Sequence, residues 1–152
     1  MFFSQILAAF RAKDHRPHSP DRNLIRKYLE LPTEWELGVS IHDGLEDHHA
    51  QLFGHRDLFA LRQCFQDLVE GKREITPSER ERMQGLVEID RKVSFHLERE
   101  GPAHRKEERY LSVVDWLTQT VDKESDQNLL SLLSTEDPEA FGNGYEAVMR
   151  SL

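Results

Sequence analysis

Histidines and carboxylates spaced four residues apart supply the residue types with the most chemistry to offer. Of the eight histidines, five (His48, His49, His55, His96 and His104) fall inside helical patterns, where a partner four residues away shares a face. Leu86, Ile89 and Val93 mark an apolar seam by their three-then-four spacing, and continuing it brings His96 and then Glu100 to the inward side. A histidine and a carboxylate on one such stripe can reach one metal ion from one helix. His104 and Glu108 repeat the spacing, and Leu45, His49 and Leu52 lie on another stripe. The candidate metal ligands are therefore His49, His96, Glu100, His104 and Glu108. Neutral imidazole with carboxylate oxygen accepts iron, zinc or manganese. The competing reading of each is ordinary: an i,i+4 hydrogen bond for His96 and Glu100, a core histidine bonded to a backbone carbonyl for His49, and a solvated first turn for His104 and Glu108. No catalytic or organic-cofactor residue is assigned, because neither a nucleophile elbow nor a glycine-rich phosphate loop occurs. The single cysteine, Cys64, between Leu61 and Phe65, fits a small core filler.

These side chains need helices to position them. No stretch shows the sustained alternation and tight turn pairs of strands, so the expected class is all-α: an antiparallel bundle of about four main helices with an additional short N-terminal helix. Residues 2–13 are amphipathic. Ser19-Pro20-Asp21 opens a helix that runs to before Pro32, and residues 33–44 form a connector. A long pattern from Leu45 to Val69, with Phe59 among its inward positions, ends at Gly71. Thr76-Pro77-Ser78-Glu79 is a capping box with proline at the first helical position. That helix is expected to stop at Gly101-Pro102, because proline disfavours helical geometry in the residue before it. Further helices cover about Ala103 to Val121 and Asp126 to Leu133, and a last one starts at Asp137-Pro138-Glu139.

A chain of 152 residues with 38% apolar content is one domain able to bury about two-thirds of its unfolded surface. The expected division is an N-terminal helical arm, 1–34, and a bundle core, 35–152. With 28 acidic against 20 Lys and Arg residues, a net charge of −8 repels a phosphate backbone, so nucleic acid is not an expected partner. One cysteine forms no internal bridge, and a cytoplasmic location is expected. The first ten residues are too short an apolar stretch to span a bilayer, although residues 2–13 could lie on a membrane surface.

The run from Trp35 to Phe53 (WELGVSIHDGLEDHHAQLF) resembles the opening of bacterial hemerythrin domains, with His49 in the place of an iron-binding histidine. His96-Leu97-Glu98-Arg99-Glu100 matches that family's His-x-x-x-Glu. The resemblance implies a four-helix bundle around a dioxygen-binding di-iron site, with Glu100 as the bridging carboxylate. The sequence departs from the pattern afterwards. Glu108 stands where a further histidine is expected, only four residues past His104, and no histidine follows His104.

Two functions follow from these features. The first is a small acidic protein that works by binding another protein, as adaptor, inhibitor or regulator, with exposed apolar anchors near Phe2, Phe3, Trp35 or Trp116. The alternative is a degenerate hemerythrin-like metal protein for oxygen or redox sensing. Nothing but the histidine count argues for an enzyme, and the oligomeric state is open.

Overall fold

A computed structural model describes residues 21–35, 50–108 and 113–152, together with Gln5, Ala8 and Ala9; for residues 32–34 and 100–108 it describes the backbone alone. The chain is all-α, as its periodicity requires. In order, α1 spans Arg22–Glu34, α2 Leu58–Glu70, α3 Pro77–Glu108 and α4 Val113–Gln119. A two-stranded antiparallel ribbon pairs β1, Val121–Asp122, with β2, Gln127–Asn128, and α5, Leu129–Leu133, and α6, Pro138–Ser151, complete the order. Among the described residues no helix is long and apolar enough to cross a membrane. Residues 2–4, 6–7 and 10–13 lie outside the described residues, as does the Ser19-Pro20 helix start.

The long pattern expected from Leu45 to Val69 is two pieces where it is described. Residues 50–52 are helical, the chain turns at Gly54 with φ 86°, and Asp57 then caps α2 by accepting a hydrogen bond from the Ala60 N–H at 2.9 Å. Gly54 is doubly constrained: its backbone is left-handed, and a Cβ there would lie 2.8 Å from Arg82 Nε. The break resets the helical phase, so Phe59 is 79% exposed rather than inward. Cys64 and Phe65 remain buried, and Gly71 at φ 68° closes α2.

α3 begins at the expected capping box. The Glu79 N–H donates to Thr76 Oγ1 at 3.1 Å, and the Thr76 N–H donates to Glu79 Oε1 at 2.9 Å. Arg73 adds a fork on the same carboxylate, at 2.7 and 2.6 Å. The Arg73 hydrogen bonds, partly opposed by burial and helped by Thr76, hold the Glu79 carboxyl at about 2. Because its folded pKa lies below the ordinary carboxylate value, this stabilisation is complete above pH about 4.5 and fades as pH falls towards about 2. Glu79→Ala is expected to cost about 1–2 kcal/mol at neutral pH, one cap plus a partly screened ion pair. Urea titrations should show that cost shrinking at pH 3; a pH-independent difference would mean that the charge contributes nothing.

The expected stop at Gly101-Pro102 does not occur. α3 continues to Glu108, because a pre-proline preference is weaker than the helical turns on both sides, which retain all but the bond that proline cannot donate. α1 likewise passes Pro32. Of the helix expected over 103–121, residues 103–108 belong to α3, residues 113–119 to α4, and residue 121 to the ribbon. The one expected from Asp126 starts instead at Leu129 after the ribbon: Asp126 is left-handed at φ 60°, and Asn128 caps α5 through the Ser131 N–H. α6 starts where expected, with Asp137 accepting from the Ala140 N–H.

α3 is the axis of the fold. Its seam, Leu86, Ile89 and Val93, is 0% exposed. α1 lies along it, with Asp21 paired to Arg80 near one end and Trp35 bonded to Asp90 further along, so the two helices run in the same sense. α6 does the same: Phe141 and Tyr145 sit beside Gly85, and Leu152 borders Phe95 and Arg99. A short loop makes consecutive helices antiparallel; here whole elements intervene between the paired helices, which leaves these two pairs free to run parallel. Tyr28, Phe53 and Phe65 pack edge to face at 5.3 to 6.1 Å between ring centres. Trp35 and Trp116, expected as exposed anchors, are 2% and 3% exposed core residues, because each indole has a helix packed over it.

Two glycines of α6 differ in a testable way. A Cβ at Gly144 would come 2.8 Å from the Leu132 carbonyl oxygen of α5, whereas one at Gly142 meets nothing within 4 Å. Gly142→Ala is expected to stabilise by about 0.5–1 kcal/mol, the helical propensity gain. Gly144→Ala should destabilise by about 1–3 kcal/mol, because backbone must move. Equal thermal shifts of the same sign would contradict the α5–α6 approach.

Candidate functional site

Half-open space of about 540 Å³ lies between the first half of α3, the start of α6 and the turn at Phe53–His55. Tyr28, Phe53, Met83 and Phe141 supply buried apolar wall, and Tyr145, half-buried, stands at its edge. Glu79, Glu81, Glu88 and Glu136 line it as well, so among the described residues its carboxylates outnumber Arg82, the cation there.

Arg82 is only 8% exposed. Its guanidinium donates to the Leu52 carbonyl at 3.2 Å, the Thr135 carbonyl at 2.7 Å and, at 3.5 Å, the Gln51 carbonyl, and it lies 4.1 Å over the Phe141 ring centre. No carboxylate lies at ion-pair distance from it among the described residues. Burial pushes the guanidinium below the usual arginine range, against the fields of Tyr28, Asp137 and Glu136. Arg82 is thus a clamp that fixes one wall of the cleft by joining three segments. Sequence reasoning missed it, although a signal existed: it stands one turn before Leu86, on the extension of the core seam.

Two other groups with chemistry face this space. Burial pushes the Cys64 thiol up, opposed by Arg73, whose Nη2 donates to its sulfur at 2.9 Å. A thiol held protonated is a poor nucleophile. Burial pushes the half-buried His55 down, with Glu79 opposing.

Of the predicted ligands, His96 does not line this cleft. His49 is outside the described residues. His96 is half-buried, its ring edge-on to Trp116 at 5.6 Å between centres, not fully inward as its stripe implied. Glu100, His104 and Glu108 occupy successive i,i+4 positions after it on the single helix α3, rather than on two helices, and their side chains lie outside the described residues. Among the described residues, no group of three or more His, Cys, Asp or Glu side chains is gathered to hold a metal ion.

A second, shallower depression of about 280 Å³ lies further along α3, lined by Arg91, Lys92, Phe95, His96 and Arg99 with Leu152, which follows α6. Among the described residues no acidic side chain lines it, although Glu88 pairs with Arg91 and Lys92 at one end. Phe95 stands 64% exposed at its edge.

No family model matches the sequence, and neither a curated protein nor a solved structure matches it.

Proposed function

We propose that this chain is a cytoplasmic adaptor, inhibitor or regulator that acts by binding a protein along the groove between α3 and α6. One observation carries the reading: an open, aromatic-walled depression and a second, basic one lie in line on the same helix, with a large apolar side chain exposed between solvent and groove. A small-molecule site is closed over its ligand, with a few convergent polar groups. This groove is long, open at the side and flanked by charges of both signs, the form that receives a helix or an extended segment. Its one buried cation is committed to backbone carbonyls, and its thiol is held protonated by burial. The metal reading rests on His49, His96 and Glu100, with His104 and Glu108 to complete the set; of these side chains His96 alone is among the described residues, and nothing gathered beside it adds to that reading.

The test places a photo-crosslinking phenylalanine analogue at Tyr145 or Gln84, beside the groove, and at Lys123 on the ribbon as a control, followed by irradiation in cells and mass spectrometry of the adducts. Protein adducts at the first two positions and none at Lys123 are expected. Equal labelling at all three, or labelling at none, would overturn the reading.

A further inference from the structure

The exposed face of α3 carries opposite charges at its two ends. At about 100° per residue, Glu81 and Glu88 in the first half share one face with Arg91, Lys92, Phe95 and Arg99 in the second. This face is opposite the core seam. Glu81 and Arg99 are both exposed, and neither has an ion pair among the described residues. Glu88 accepts from Arg91 at 2.6 Å and lies 3.8 Å from Lys92, at the middle of the face.

The same face carries a side-chain-free spot, backed by the Phe141 ring, and a knob. Gly85 is half-buried, and a side chain there would run into Phe141, with Cβ 3.0 Å from its ring; Gly142 beside it opens to solvent. Ten residues further, about 15 Å along the helix, Phe95 projects into solvent.

We infer that the occupant of the groove is a second copy of this chain, its α3 lying antiparallel to the first about a twofold axis that crosses the exposed face at the level of residue 90. That register follows from the residue spacing alone. It sets Phe95 of each copy over Gly85 of the other, against the edges of Phe141 and Tyr145. It sets Glu81 opposite Arg99 and Glu88 opposite Lys92, twice over by symmetry. A parallel pairing would instead bring like charges together. Because the twofold makes every contact occur twice, one self-complementary face closes the dimer and leaves no open end. The apolar knob provides desolvated area at the centre of each half, and the charge pairs fix direction and register.

This inference rests on the reading of the groove as a protein-binding surface. Its test is sedimentation velocity of the full chain at about 1 to 100 μM, a range that covers dimers of modest affinity. Wild type is expected to be dimeric, and Glu81→Arg and Arg99→Glu, both at exposed positions, are each expected to weaken the dimer at least about tenfold. The double variant E81R/R99E should recover it. Within one chain these two residues are about 27 Å apart, so recovery cannot come from contact between them in the monomer. Phe95→Ser should also give monomer, with circular dichroism confirming that each variant is folded. A monomeric wild type, a dimer indifferent to both reversals, or a double variant that stays monomeric would overturn the inference. If wild type is monomeric while the groove positions still crosslink to a different protein, the second copy is overturned and the groove reading stands; if crosslinking fails too, both fall.

Discussion

Arg82→Ala is expected to lower the unfolding free energy by about 3–5 kcal/mol, a large share of the roughly 5–15 kcal/mol that holds a domain of this size. The loss has three parts. Carbonyls of Leu52 and Thr135 lose their donor, the weaker bond to Gln51 goes with them, and the Phe141 ring loses the guanidinium packed on its face. Arg82→Met separates these parts, since it keeps the apolar stem and forfeits the donors; it should still cost about 2–3 kcal/mol. Arg82→Lys retains a charge but has no fork to span three acceptors, and should fall between wild type and Met. Urea unfolding monitored by circular dichroism reads all three. If Met were within about 0.5 kcal/mol of wild type, the buried guanidinium would be replaceable by apolar volume.

The second large effect is at Trp35. Its indole is 2% exposed, tilted against Phe53, and its Nε1–H donates to Asp90 Oδ1 at 2.6 Å. Trp35→Ala should cost about 4 kcal/mol, combining lost aromatic burial with a partly buried carboxylate stripped of its donor. Trp35→Phe retains most of the volume and should cost about 1–3 kcal/mol, chiefly through that lost donor. The partner carboxyl gives the pH dependence. Burial pushes Asp90 above its ordinary value of 3.8, opposed by the Trp35 hydrogen bond and helped by the charge of Glu30. A raised folded pKa means that this group's contribution is fully present below pH 3.8 and is lost as pH rises through the folded value. Asp90→Asn keeps an acceptor for the indole and removes the ionisation. It should therefore be more stable than wild type at pH 7, the advantage disappearing below the ordinary carboxylate value. A variant less stable than wild type at pH 7 would show that the Trp35 hydrogen bond needs the charged form. Glu79 moves the opposite way, so the pair brackets the acid limb of the stability profile.

What the sequence by itself determined is the local chemistry. The all-α class follows from periodicity; the capping box at Thr76, the stop at Gly71 and the Asp137-Pro138 start follow from groups that satisfy helix ends within three or four residues. The seam through Leu86, Ile89 and Val93 was visible because one helix turn repeats faithfully. Interactions at longer range decided the rest. The break at Gly54 depends on the approach of Arg82, 28 residues later in sequence, and so moved Phe59 to the surface. Continuation of α3 through Gly101-Pro102 ran against a local preference. Trp35 and Trp116 look alike in sequence to exposed anchors, and only the helices packed over them bury them. The cleft is assembled from α3, α6 and the Phe53–His55 turn, segments far apart in the chain. A helical period says which residues share a face; which face meets another element, and which is left open for a partner, is settled only when the distant segments pack.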